Sequence, residues 1–292
     1  MFMSLKPILR FAPSPNGYLH LGHAYSALMT HAMAQALGGT MLLRIEDIDL
    51  VRSKPEFISA IFEDLHWLGL SWPEPVMRQS DRFAAYAQAY ETLEKKGLVY
   101  PCFCSRAEVA EHAHGIDPDG APRYGGTCRA IRREVALARI AAGEKAAWRL
   151  DLAAAIRSAS LPYRVSESER FLYENQHLLV SEPHPRKIHP EDWGDAVIVR
   201  KDTPTSYHLS VVVDDAAQSV SHVTRGRDLA RATDLQVLLQ RLLNLPTPIY
   251  AHHELIRDDG DKKLSKSKGA PSLRSLREAG VTAEEVRRRV GF

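Results

Sequence analysis

The chain has 292 residues, 45% of them hydrophobic and 25% charged, the ordinary balance of a soluble globular protein. That length fits two average domains or one large α/β domain with insertions, and the composition excludes disorder, collagen-like repeats and coiled coils as dominant states. With 38 basic residues against 36 acids the net charge is +2, so no global field marks a nucleic-acid binder. Charge is concentrated locally instead. Five arginines face one acid, Glu134, between Arg123 and Arg139, and Arg287-Arg288-Arg289 stands near the end. Such runs are either solvated helix faces or phosphate-contacting patches.

Leu5 to Phe11 is a short apolar run ending at Pro13 and Pro15, as a buried strand ends before a turn. Asn16-Gly17 is a turn pair, Ala24 to Leu37 has helical composition, and Gly38-Gly39 stops that helix. Phe11 to Leu43 is the longest stretch without a charged side chain, but its three histidines, two prolines and four glycines rule out a membrane helix. No signal peptide is visible at the N-terminus, so a cytoplasmic protein is expected. Thr40 to Ile45 reads as a second buried strand running into Glu46-Asp47-Ile48-Asp49, and Pro55 opens a helix to about Leu68. This strand–turn–helix–strand–helix order predicts an α/β fold with a doubly wound parallel sheet.

Further helices are predicted over Asp81 to Lys96 and near Ile131 to Ala142, with the cysteines Cys102, Cys104 and Cys128 between them. Proline-rich residues 158–195 suggest a hairpin-and-loop insertion. Strand patterns resume at Ala196 to Val199, Leu209 to Val213 and Ser219 to Thr224, followed by a helix at Ala232 to Leu243 and a strand near Ile249 to Leu255. The sheet is therefore predicted to be split, with the cysteine segment between its halves.

His20-Leu21-Gly22-His23 falls where the first strand hands over to the first helix. A helix N-terminus offers unpaired N–H groups and partial positive charge to a phosphate, and Gly22 lets a base or ribose approach the backbone. Two histidines three apart can both donate to phosphate oxygens. The second signal is Lys262-Lys263-Leu264-Ser265-Lys266-Ser267-Lys268, whose four lysines and two serines suit a polyphosphate becoming pyrophosphate. Taken singly, each motif is more simply a surface feature. In this order, at the two ends of a split sheet, they resemble the signature sequences of class I aminoacyl-tRNA synthetases.

The resemblance narrows with Arg10-Phe-Ala-Pro-Ser14-Pro-Asn-Gly-Tyr-Leu-His-Leu-Gly-His23 and Leu43-Arg-Ile-Glu46-Asp-Ile-Asp49, which are similar to the opening of the glutamyl-tRNA synthetase group. Gly194 to Arg200, Ser206-Tyr207-His-Leu, Val211 to Asp215 and His222-Val-Thr-Arg225-Gly226 continue it, over residues 8–270 in order. The chemistry agrees with glutamate, whose two carboxylates need guanidinium forks and whose ammonium needs an acid. Arg10 and Arg225 can supply forks, Glu46 the acid, Tyr207 and Ser14 neutral hydrogen bonds; which arginine faces which carboxylate stays open. By resemblance, Arg10, Phe11, Ala12, Pro13, Ser14, Glu46, Tyr207 and Arg225 bind glutamate. His20, Gly22, His23 and Lys266 bind ATP with Mg²⁺, and His20, His23 and Lys266 stabilise the transition state.

Three clustered cysteines suggest a metal before a disulfide. Zinc takes four ligands, and Cys102, Cys104 and Cys128 supply three. Spacing alone nominates His112 or His114 as the fourth; the resemblance, through Tyr-x-x-x-Cys, nominates Tyr124. The neighbouring Arg129, Arg132 and Arg133 would then contact tRNA backbone.

This segment, and the short stretch after Ser267, resemble the glutamyl-Q tRNA(Asp) synthetase branch. That branch implies activation of L-glutamate by ATP without tRNA, then transfer to the queuosine base at the wobble position of tRNA(Asp). It also implies one structural zinc and a cytoplasmic monomer. The expected organisation is 1–100 as the first half of the catalytic domain, 101–192 as the zinc-bearing insertion, 193–256 as the second half, and 257–292 as the lysine loop with a short helical segment, without an anticodon-binding domain. The alternatives are a truncated glutamyl-tRNA synthetase charging the 3′ adenosine and a non-catalytic RNA-binding paralogue.

Overall fold

The computed structural model describes residues 6–160, 164–168, 171–174, 177–256 and 271–292. The first half holds β1 (Ile8–Phe11), α1 (Leu21–Ala36), β2 (Thr40–Ile45), α2 (Pro55–Trp67) and β3 (Met77–Arg78). β1 and β3 both pair in parallel with β2, the arrangement expected when helices connect successive strands. Gly39 allows the tight return from α1 to β2, since a Cβ there would lie 2.4 Å from the Pro7 carbonyl oxygen.

The middle of the chain holds α3 (Phe83–Lys95), β4 (Val99–Cys102), α4 (Arg106–Glu111), α5 (Arg133–Ala141), β5 (Ala147–Leu150) and α6 (Leu152–Ala159). β4 and β5 are antiparallel and pair Cys102 with Ala147, closing the neck of the cysteine segment. Four short strands follow: β6 (Arg164–Ser168), β7 (Phe171–Glu174), β8 (His177–Val180) and β9 (His184–Lys187). The remainder is β10 (Val197–Val199), α7 (Tyr207–Ala217), β11 (His222–Gly226), α8 (Ala232–Leu242), β12 (Ile249–His253), α9 (Leu273–Glu278) and α10 (Ala283–Arg289).

β11, β12 and β6 run parallel, while β9 is antiparallel to β6, so this half is mixed. The two halves meet edge to edge where the Ser221 N–H donates to the Ile8 carbonyl at 2.9 Å and the Ile8 N–H donates to the Ser221 hydroxyl at 2.9 Å. The predicted split α/β sheet is thus present. Strand pairing crosses the boundary read at residue 192, because β6 and β9 join the sheet of β11 and β12.

One predicted element is corrected. Leu209–Val213 lies inside α7, not in a strand. Ser206 is its N-cap, accepting from the Leu209 N–H, and Leu209, Ser210, Val211, Val212, Asp214 and Asp215 are all buried. A helix buried on most sides has no polar stripe, so its short valine run reads like a core strand.

Two apolar cores hold most of the buried apolar side chains. One gathers Leu9, Leu28, Met33, Leu43, Ile61, Leu65 and the C-terminal Leu273 and Val286. The other gathers Tyr86, Leu93, Leu150, Ile198, Leu209, Leu235 and Leu238. Cys102, Phe103, Tyr124, Cys128 and Ala136 form a separate small core.

Candidate active site

A cleft of about 570 Å³ opens at the C-terminal ends of β1, β2 and β11, where α/β sheets bind ligands. Arg10, Phe11, Ala12, Pro13, Ser14, His20, Gly22, His23, Glu46, Tyr207 and Arg225 all line it. Lys266 lies outside the described residues. Both flanks of its segment border the site: Leu255 and Ile256 line the cleft, and Ser272 bridges to His20 while the Leu273 N–H donates to the Leu19 carbonyl at 2.7 Å.

At the mouth of α1, His20 is the N-cap and its Nδ1 accepts from the Gly22 N–H at 3.1 Å. The His20 N–H donates to His23 Nδ1 at 3.2 Å, and the two ring centroids stand 3.9 Å apart. Both Nδ1 atoms are acceptors here, which places each neutral ring's proton on Nε2 and makes that nitrogen the donor it offers. Gly22 has a local reason beyond nucleotide approach: a Cβ there would lie 3.0 Å from the His20 ring.

The floor is a buried ionic lattice. Asp215 accepts from Arg10 Nε at 2.9 Å and from Arg44 Nη1 at 2.7 Å, while Arg44 Nη2 donates to Glu46 at 3.1 Å. Burial raises the Glu46 pKa despite the opposing pull of Arg44 and Arg10. Burial also opposes ionisation of Asp215, but Arg10 and Arg44 prevail and hold its pKa below the ordinary carboxylate value. The next residue, Asp214, accepts from Gln79 at 2.9 Å, Arg82 at 2.6 Å and the Tyr86 hydroxyl at 2.7 Å, anchoring α7 to α3.

Arg225, on the neighbouring β11, sits among neutral acceptors. Its Nη1 donates to Gln236 Oε1 at 2.8 Å and to the Tyr207 hydroxyl at 3.4 Å, and its Nη2 to the Thr233 hydroxyl at 2.7 Å. Its Nε donates to His252 Nε2 at 3.3 Å. Among the described residues no carboxylate lies within ion-pair distance of it. A buried cation surrounded by uncharged acceptors suits an anionic ligand, which would supply the missing charge.

Sequence reasoning had not singled out Arg44, Asp214, Asp215, Thr233, Gln236 or His252. For Arg44 and the Asp214-Asp215 pair a signal existed: charged residues abut or interrupt apolar runs, and a charge held in a core needs a partner.

In the cysteine segment the three sulfurs lie within 4.8 Å of one another, close enough to hold a metal ion. No histidine joins that group among the described residues. The Tyr124 hydroxyl stands 3.3 Å from Cys102 Sγ and 3.7 Å from Cys104 Sγ, and it accepts from the Cys128 N–H at 2.8 Å. Gly194 gives the Tyr124 backbone room, since a Cβ would meet it at 2.9 Å. Two of the arginines read as tRNA contacts are engaged internally: Arg129 forks onto Asp195, and Arg133 pairs with Glu94 at 2.9 Å.

These features agree with comparisons to known proteins. The chain is 45% identical over 299 residues to the Glutamyl-Q tRNA(Asp) synthetase of Rhodobacter capsulatus, covering 98% of this chain and 100% of that protein. It is 38% identical to the protein of the same name from Symbiobacterium thermophilum, over 95% and 83% of the two chains. The solved glutamate tRNA ligase of Elizabethkingia meningosepticum, in complex with its amino acid, superposes with a TM-score of 0.67 at 26% identity. That match covers 90% of this chain and 52% of the ligase, so the chain spans about half its length. The family model for the catalytic domain of class I tRNA synthetases (E and Q) matches residues 8–291, nearly end to end, and the chain belongs to that family.

Proposed function

We propose that the protein activates L-glutamate with ATP, releasing pyrophosphate without any need for tRNA, and then transfers the glutamyl group to the queuosine base at the wobble position of tRNA(Asp). One observation carries this reading. Every described residue expected to bind glutamate or ATP converges on a single cleft. The relatives named Glutamyl-Q tRNA(Asp) synthetase supply the acceptor.

In the first step a glutamate carboxylate oxygen attacks the α-phosphorus and the bond to pyrophosphate breaks. His20 and His23 offer Nε2–H donors to the phosphate oxygens, and Lys266 adds a positive charge as pyrophosphate leaves. Mg²⁺ arriving with ATP would neutralise phosphate charge. Glu46 receives the ammonium, Arg10 and Arg225 the carboxylates, with Tyr207 and Ser14 completing the pocket. In the second step a queuosine hydroxyl attacks the activated carbonyl and AMP departs. The protein acts as a cytoplasmic monomer in this reading, and no helix among the described residues is long and apolar enough to cross a membrane.

Cys102, Cys104, Cys128 and Tyr124 would hold a structural zinc, three thiolates and a phenolate making a closed four-ligand set. The Cys128 N–H donates to the Tyr124 oxygen and so holds it beside the sulfurs. Purified protein is expected to carry about one zinc per chain, lost in Cys128→Ser. Retention should fall more in Tyr124→Phe than in His112→Ala, and the reverse order would move the fourth ligand.

The function is tested with labelled glutamate, ATP and two forms of tRNA(Asp). Label is expected on the queuosine-bearing form and on its isolated anticodon stem-loop, and none on the form with guanosine at the wobble position. Label on the 3′ adenosine of tRNA(Glu) instead would assign the protein to ordinary glutamyl-tRNA synthesis.

A further inference from the structure

We propose that His252 and Glu167 are a positioning pair that holds Arg225 as an uncompensated cation toward the cleft by offering it a neutral lone pair. This rests on the reading of the cleft as a glutamate-activating site. The sheet register sets up the contact. Arg225 on β11 stands opposite His252 on β12, and the next parallel strand, β6, brings Glu167 beside Tyr250. Arg225, His252 and Glu167 are all buried.

The hydrogen bonds fix the tautomer. His252 Nδ1 lies 2.5 Å from Glu167 Oε1, and a carboxylate oxygen can only accept, so Nδ1 carries the proton. His252 Nε2 is then a lone pair. It meets two donors, Arg225 Nε at 3.3 Å and the Thr233 hydroxyl at 3.3 Å. The Thr233 oxygen in turn accepts from Arg225 Nη2. Glu167 placed directly against Arg225 would neutralise it; with the ring between them, the carboxylate organises the guanidinium without cancelling its charge. A second cation absorbs the acid: Arg186 on β9 pairs with Glu167, and also with Asp234 on α8 at 2.9 Å.

Protonation of His252 would turn Nε2 into a donor facing the Arg225 Nε–H. The charged groups set against the ring from its neighbours are Glu167 on β6, Arg186 on β9 and Arg225 on β11, with Asp234 behind Arg186. Burial, together with Arg225 and Arg186, outweighs Glu167 and keeps the His252 pKa below its ordinary value. The lone pair is therefore present at neutral pH and is withdrawn on acidification.

The experiment measures glutamate-dependent ATP–pyrophosphate exchange and calorimetric glutamate binding with the full chain. His252→Leu should raise KM and Kd for glutamate at least about tenfold while leaving KM for ATP within about twofold, as expected for loss of a hydrogen bond to a charged group. His252→Gln places an amide oxygen near the former Nε2 and should restore glutamate KM to within about threefold of the parent. The parent's glutamate KM should rise as pH falls below about 6.5, and His252→Gln should make that rise clearly smaller, the remainder belonging to protonation of Glu46. A parent-like KM in His252→Leu would overturn the pair. So would a His252→Gln as impaired as His252→Leu at unchanged melting temperature, or one that keeps the whole acid-side rise. A parent chain without any glutamate-dependent exchange would instead remove the glutamate reading itself.

Discussion

Two adjoining strands at the cleft, β1 and β11, each hold an arginine, in opposite ways. Arg10 is bound to Asp215, which also carries Arg44, and Arg44 reaches Glu46, so this side closes its charges within the protein. Arg225 is held by Gln236, Thr233, Tyr207 and His252, none of them anionic. A compensated guanidinium adds structure and direction but a weakened field. An uncompensated one keeps its full field and waits for a ligand's carboxylate, at a cost to the empty protein. The difference separates the side that stabilises the fold from the side that awaits charge.

Substituting the two arginines should give the largest effects and the clearest break of this contrast. Arg225→Gln is expected to lower kcat/KM for glutamate in pyrophosphate exchange by about a hundredfold or more, near 3 kcal/mol, with melting temperature unchanged or raised. Removing a buried charge that has no internal counter-charge relieves the empty site. Arg10→Gln should lower both exchange and melting temperature, because Asp215 then keeps only Arg44. Equal thermal losses in the two variants would mean that Arg225 is compensated after all.

Asp215→Asn sharpens the same point from the acid side. It strips Arg10 of its counter-charge and leaves Arg44 with Glu46 alone as an anionic partner, and should cost about 3–5 kcal/mol of stability by denaturant titration. Gln236→Leu, which removes one neutral acceptor from Arg225, should cost about 1–3 kcal/mol. A smaller loss at Asp215 than at Gln236 would overturn the view that the Arg10 side is the structural one.

These supporting residues mark where the sequence stops being legible. Arg10, His20, Gly22, His23 and Glu46 come from two neighbouring strand ends, so a short motif carries their geometry. Tyr207 and Arg225 were reached through resemblance, not through any local pattern. His252, Glu167, Thr233 and Gln236 meet Arg225 only because three strands and α8 adopt one register, and register is tertiary information. The same limit turned the valine run of α7 into an expected strand: a buried helix and a buried strand share a composition, and only the Ser206 cap and the aspartates that follow distinguish them. The cysteines were legible from spacing, whereas Tyr124 as a fourth ligand came from resemblance, spacing alone pointing to His112 or His114; the Tyr124 hydroxyl stands among the sulfurs.

The smallest expected effect uses a buried carboxylate without such support. Asp64 on α2 is fully buried, neither of its oxygens has a hydrogen-bond partner among the described residues, and Arg277, 3.7 Å away, also binds Glu63 at 3.0 Å. Burial pushes its pKa up to about 6, whereas Asp215, equally buried but bridged by two arginines, is pushed down. The signs of their pH dependence therefore oppose. A carboxyl whose folded pKa is raised favours the fold most below its unfolded pKa near 4 and loses that contribution as pH climbs through about 6; one whose folded pKa is depressed contributes above its unfolded value and loses this on acidification. The linkage limit for Asp64 is about 3 kcal/mol, and Asp64→Asn recovers only part of it because the buried amide still lacks partners, so a gain of about 1 kcal/mol is expected at pH near 8. At pH near 4 that gain should vanish, while the penalty of Asp215→Asn should stay nearly intact and shrink only as pH falls further, toward the depressed folded pKa of Asp215. Melting curves at the two pH values decide it: destabilisation by Asp64→Asn near pH 8 would show that Arg277 compensates Asp64 as fully as Arg10 and Arg44 compensate Asp215.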